Sequence, residues 1–216
     1  MKLASGRGSK MVGLYRPWCT TRLRASKLSS TSRNRLQPGT APALGVADNV
    51  GDMTAGMPGW SELAAGALPI ARLGMARLTA TRVAMLGTVR GDGSPRISPI
   101  EPYLVNGCLL VGAMTWSGKA ADLCRDPRYV LHSAVTGPDS GEGELKLHGR
   151  AARASPALRH EAAIGWWSGQ PPEKAVVFVL GIDLALFVEW DTEHGLMTAH
   201  RWSPQRGYSH SARSYP

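Results

Sequence analysis

The 216-residue sequence has only three cysteines, Cys19, Cys108 and Cys124, and no C-x-x-C pair. That argues against a disulfide-stapled scaffold and for a reduced, intracellular chain, expected in the cytoplasm. The most apolar stretch, Ala175–Trp190, falls short of the ~20 residues a membrane helix needs and contains Asp183, so no membrane partner is expected. The six histidines include no i, i+4 pair and no Cys/His cluster with ligand spacing, so no metal site is expected. The sequence contains no G-x-S-x-G, which removes the commonest serine-hydrolase signature.

Acidic residues are also missing from the first 47 positions. Residues 1–52 carry nine Lys/Arg against Asp48 and Asp52, whereas residues 53–216 carry sixteen against fourteen. Of the formal charge of +9, +7 therefore belongs to the N-terminal segment and only +2 to the rest, for which no nucleic-acid partner is expected. The segment is rich in Ser, Gly, Pro and Arg without an apolar period, so 1–52 is expected to be a disordered extension. It reads as a start assigned too far upstream, with Met53 or Met57 the true one, as an Arg/Ser-rich transit peptide, or as a basic tail for anionic partners. Residues 53–216 suit a single domain with a real core.

What is present from Pro58 onward is helix, then strands. Trp60, Leu63, Ala67, Ile70, Leu73 and Leu78 have helical spacing, interrupted at Pro69. Arg82–Arg90 reads as a strand ending at a GDGS hairpin, Pro95–Val105 as a second, and Cys108–Met114 as a third after Asn106-Gly107, a type I′ pair. These three are expected to form a meander, with Pro95, Pro99 and Pro102 making the middle strand edge-like or bulged. A short helix over 118–125 follows, then strands over 128–135, 144–151, 175–190 and 196–203, with a capped helix from Ser155 to Trp167 and a polar tail at the end. In 175–190 the even positions from Val176 are apolar while Asp183 and Glu189 fall on odd ones, a period of two that predicts one long barrel strand or two joined at Gly181. About seven strands with two or three peripheral helices predict a mainly β fold, a small antiparallel barrel.

Lys119 is the awkward residue. It sits in the first turn of the helix over 118–125, where the dipole disfavours a cation and no acid offsets it. The expected stripe of that helix is Ala120, Leu123 and Cys124, with Ser117 as N-cap. Gly112–Ala120 resembles a Walker A loop but has five residues between its glycines and Ala120 where Ser or Thr must hold Mg²⁺, so a nucleoside triphosphatase is excluded. Strand, turn, lysine and helix N-terminus still make an anion site, with Thr115, Ser117 and Lys119 in reach of one phosphate. Arg96 and Ser98, two apart, share a strand face. If the meander holds, they lie at the same end of a hairpin as Thr115, and the set suits a phosphate dianion.

Three stretches in order, LGTVRGDGSPRISPI (Leu86–Ile100), Ser117-x-Lys119-x₃-Leu123-x₃-Pro127-Arg128 and HGRA (His148–Ala151), resemble the FMN-binding split-barrel superfamily, the pyridoxamine 5′-phosphate oxidase-like proteins. The likeness runs from about Trp60 to Trp202. It implies a split barrel of six to seven strands, a homodimer with flavin at the subunit interface, and a phosphate held by Arg96, Ser98, Ser117 and Lys119. It also implies ring contacts from Met114, Thr115 and His132, and places Trp202 like a late tryptophan near the cofactor, a core aromatic being the alternative. Glu101 stands where the vitamin B6 enzymes have lysine, and their late Arg-x-His-Asp-Arg-like motif is absent. The implied activity is therefore hydride transfer to or from a small-molecule substrate by a general member of the group, using FMN or a deazaflavin. A non-catalytic flavin- or haem-binding protein is the rival.

Overall fold

A computed structural model describes residues 56–135, 143–166 and 175–215. The chain divides into 1–47 and 48–216, and everything below belongs to the second unit. The expectations for residues 1–52, including Cys19, and for Trp167 lie outside the described residues.

Two helices open the described chain, α1 (Trp60–Gly66) and α2 (Leu68–Thr81), broken at Ala67 where Pro69 occupies the start of α2. Their apolar stripe, with Trp60, Leu63, Ile70 and Leu78 all buried, packs onto the sheet. Nine strands follow: β1 (Ala84–Val89), β2 (Pro95–Ile100), β3 (Pro102–Val105), β4 (Cys108–Met114), β5 (Arg128–Ser133), β6 (Glu144–Arg153), β7 (Ala175–Asp191), β8 (Leu196–Ser203) and β9 (Gly207–Ser214). Helix α3 (Gly118–Arg125) lies between β4 and β5, and α4 (Pro156–Trp166) between β6 and β7. Ser155 caps α4, its Oγ accepting from Leu158 N at 3.3 Å.

All pairings are antiparallel, in the order β2-β1-β5-β6-β7-β4-β3, with β8 on β7 and β9 on β8. The two ends of this path, β2 and β3, are joined by Glu101 alone, so the sheet curls back on itself. At β7 it forks: residues 175–179 pair with β4 and residues 185–191 with β8. That fork is the split in the barrel.

Several expectations change. The meander is not formed: β2 pairs with β1, while β3 pairs with β4 at the other end of the path. The prolines explain this, since Pro99 and Pro102 flank Glu101 and supply no amide donors to continue one ladder. Arg96 therefore does not share a hairpin with Thr115. The polar tail contains β9, whose alternating small polar residues give no apolar signal. β7 is one long strand, but the period of two does not hold throughout it: Val177 to Ile182 are buried on both faces, and beyond them odd Ala185 and Phe187 face the core. The register shifts opposite His148/Gly149, which resets the phase. The Asn106-Gly107 turn does form, with φ of 49° and 76°, as type I′ requires.

The main core gathers Leu63, Ile70, Leu86, Leu109, Leu131, Leu145, Leu147, Phe178, Leu180 and Ile182 between α1, α2 and the sheet. A smaller cluster of Leu110, Ala162, Val177 and Val179 lies under α4.

Candidate functional site

Helix α3 begins as the sequence predicts. Ser117 is extended (φ −77°, ψ 147°), and its Oγ accepts from Ala120 N at 3.4 Å. The buried stripe is Ala120, Asp122 and Leu123, whereas Cys124 is exposed. An aspartate thus takes the inward place expected for a cysteine, and its partners show why. The Asp122 carboxylate accepts from Thr88 Oγ1 at 2.9 Å, Arg96 Nε at 2.6 Å and Arg125 NH2 at 3.2 Å. Arg125 also donates to Val89 O at 2.6 Å. Burial on its own pushes the Asp122 carboxyl up, but the hydrogen bonds from Arg96, Thr88 and Arg125 outweigh it and hold the pKa below the usual aspartate value.

Arg96 and Ser98 share the inward face of β2, opposite Thr88 and Leu86. With Nε committed to Asp122, the rest of the Arg96 guanidinium lies over the first residue of α3. A Cβ on Gly118 would come within 2.8–3.0 Å of its Cζ and both terminal nitrogens. Lys119 does not extend into water: its Nζ donates to Pro99 O at 2.8 Å, tying α3 to β2. Desolvation pulls the Lys119 pKa down, partly offset by Glu101. Arg96, Ser117 and Lys119 therefore converge at one helix start although β2 and β4 are not paired, with Ser98 two residues along from Arg96. Met114 ends β4, and Thr115 is exposed in the turn before Ser117.

Two other expected residues lie elsewhere. His132 is on the opposite, outer face of the sheet, its Nε2 3.1 Å from Glu144 Oε2 and its Nδ1 2.6 Å from Ser133 O. Its cross-strand neighbours there are Met85 and Lys146. Trp202 is 4 % exposed in the main core, where a Cβ on Gly66 of α1 would overlap its indole Nε1.

A cavity of about 590 Å³ opens beside Glu101, walled by Met75 and Leu78 of α2, by Arg82 just after it, and by Pro102, Tyr103 and Leu104. Its size is that of a small-molecule pocket. Sequence reasoning missed Asp122; the available signal was an acid three residues before Arg125 on a helix otherwise short of acids. No group of three or more metal-ligating side chains occurs among the described residues, and no described helix is long and apolar enough to cross a membrane.

The donor set at α3 suits a phosphate dianion: a guanidinium edge, an ammonium with two protons to spare, and a hydroxyl whose proton is free while its oxygen accepts. Glu101 and Asp122 keep the site from being purely cationic.

No family model matches the chain, and no curated protein matches it. Solved structures do. PhzG from Burkholderia lata 383, in complex with tetrahydrophenazine-1-carboxylic acid, aligns with a TM-score of 0.54 at 11 % identity, over 68 % of this chain and 91 % of that one. A pyridoxamine 5′-phosphate oxidase-related, FMN-binding protein from Nostoc punctiforme PCC 73102 aligns with a TM-score of 0.51 at 16 % identity, over 68 % and 96 %. The forked sheet with its peripheral helices thus has the fold of the pyridoxamine 5′-phosphate oxidase-like, FMN-binding split-barrel proteins.

Proposed function

We propose that this chain is a cytoplasmic flavin-dependent oxidoreductase, binding FMN or a deazaflavin at the interface of a homodimer and acting on a small molecule. The observation that carries the reading is the convergence of Arg96, Ser117 and Lys119 on the start of α3. That is a phosphate-type donor set in a fold shared with an FMN-binding protein. When bound, the isoalloxazine or deazaflavin ring would supply hydride transfer. The chain's own part is binding and orientation. Arg96, Ser98, Ser117 and Lys119 hold the phosphate, Asp122 fixes the Arg96 guanidinium, and Met114 and Thr115 border the ring's path.

The outer face bearing His132 also carries exposed Met85, Ile97 and Val130. A second copy covering that apolar patch would bring His132 to the subunit boundary, where a ring contact is assigned to it. Trp202, sealed behind α1, is left to the core.

The test is an absorbance spectrum of the protein purified from a host supplying both cofactors, with mass spectrometry of the released ligand. Released FMN or deazaflavin, with repeated turnover of a reductant, is expected. A colourless protein that takes up neither on titration removes the reading.

A further inference from the structure

The cavity of about 590 Å³ is lined by two side chains of opposite charge, Arg82 and Glu101, that do not pair with each other. Both leave the same end of one ladder. Ala84, two residues after Arg82, is the partner of Ile100, the residue before Glu101. Arg82 caps the C-terminus of α2 at a left-handed φ of 57°, its main-chain N–H donating to Leu78 O at 2.9 Å. Glu101 is the single residue between β2 and β3. Among the described residues neither side chain enters an ion pair or hydrogen bond, and Glu101 attracts the Lys119 ammonium without a direct bond to it. The walls beside them are apolar. Leu78 and Leu109 belong to the main core, and Leu104, the cross-strand partner of Leu109, is left 38 % exposed at the cavity.

We infer that this cavity binds a small zwitterion with an apolar body, of the class of the apolar amino acids. Its carboxylate lies on Arg82, its ammonium on Glu101, and its body on Met75, Leu78, Leu104 and Leu109. A guanidinium and a carboxylate on long side chains, both uncommitted at one cavity, supply a donor set and an acceptor that a single ligand bearing both charges satisfies. A simple anion meets repulsion from Glu101 and a simple cation meets it from Arg82, so the pair favours the ligand that carries both charges. Covering Leu104 with carbon removes apolar surface from water. The volume falls within the roughly 300–1,000 Å³ of small-molecule pockets and admits an aromatic or branched aliphatic side chain. The attraction between Glu101 and Lys119 puts this ligand beside the proposed cofactor site. Its role as the substrate there rests on the oxidoreductase reading, whereas its binding does not.

Isothermal titration calorimetry of the full-length protein with three probes of the same ring tests it: L-phenylalanine, phenethylamine, which lacks the carboxylate, and 3-phenylpropanoate, which lacks the ammonium. Saturable binding of L-phenylalanine is expected, with each analogue at least tenfold weaker, roughly the loss of one charge-assisted contact. Arg82→Gln should weaken L-phenylalanine at least tenfold and leave phenethylamine no weaker. Glu101→Gln should weaken L-phenylalanine likewise and leave 3-phenylpropanoate no weaker. Both variants should keep the parent melting temperature, because Gln retains the main-chain cap at 82 and Glu101 is exposed. No saturable binding of L-phenylalanine overturns the proposal, as does an analogue that binds as tightly, or binding indifferent to either variant. Binding of L-phenylalanine by a protein that takes up neither FMN nor a deazaflavin keeps this site and removes the oxidoreductase reading. Cofactor uptake without L-phenylalanine binding does the reverse.

Discussion

Asp122 gathers donors from β1, β2 and its own helix, and only one of the three is uncharged. Its carboxylate is 4 % exposed, while the Arg96 and Arg125 side chains are 31 % and 45 % exposed. Removing the acid strands a buried Thr88 hydroxyl but lets both arginines turn to water. Asp122→Ala should therefore cost about 2 kcal/mol, below the 3–5 kcal/mol of a fully buried pair; chemical denaturation at pH 7 measures it. The sign with pH follows from the lowered pKa. The stabilisation is complete above the unfolded aspartate value, about 4, and is lost as pH falls through the lower folded value. Unfolding free energy measured from pH 7 to pH 3 should fall less steeply in Asp122→Asn than in the parent. Lys119 is the complementary case. Its contact with Pro99 O is one hydrogen bond at a part-buried surface, so Lys119→Ala should barely move the melting temperature. The same change should weaken phosphate-bearing cofactor binding more than tenfold, a charge-assisted contact being worth ~1.5–3 kcal/mol. Unchanged affinity by fluorescence titration would remove Lys119 from the site.

Among the elements, the β6–β7 pairing at its bulge tolerates least. A Cβ on Gly149 would overlap the Gly181 carbonyl oxygen, which is backbone and also accepts from Tyr129 OH at 2.9 Å. Burial drives the Tyr129 phenol well above its ordinary pKa, so it remains a donor at any physiological pH. Gly149→Ala must part the two strands at the bulge, and a loss of at least 3 kcal/mol in denaturant unfolding is expected. Gly93→Ala makes a control of different cause, because its added Cβ meets nothing within 4 Å and only its φ of 83° resists. It should cost about 1 kcal/mol.

At the scale of the molecule, the outer face of β2, β1 and β5 leaves Ile97 71 % exposed next to Met85 and Val130, each 37 % exposed. Cross-strand register puts Ile97, Gly87 and Val130 in one row and Pro99, Met85 and His132 in the next, so the apolar patch is continuous. Light scattering after gel filtration should give a dimer for the parent and a monomer for Ile97→Glu, which buries a charge in the proposed interface. A monomeric parent would withdraw the shared cofactor site.

The sequence by itself determined what depends on local pattern. The helix over 118–125 with its Ser117 cap, the Asn106-Gly107 turn, the break near Pro69, the alternation of Leu145, Leu147, Gly149 and Ala151, and the shared face of Arg96 and Ser98 all follow from neighbours a few positions apart. Tertiary structure decided what depends on pairing across the chain. The separation of β2 from β3, the inward phase of β7 beyond its bulge and the pairing of β9 have no local signature, because each is set by which strand supplies the opposite ladder. The same holds at the candidate site. Arg96 meets the start of α3 because Asp122, buried against β1, draws the arginine across an unpaired gap, a long-range charge contact that spacing alone does not encode.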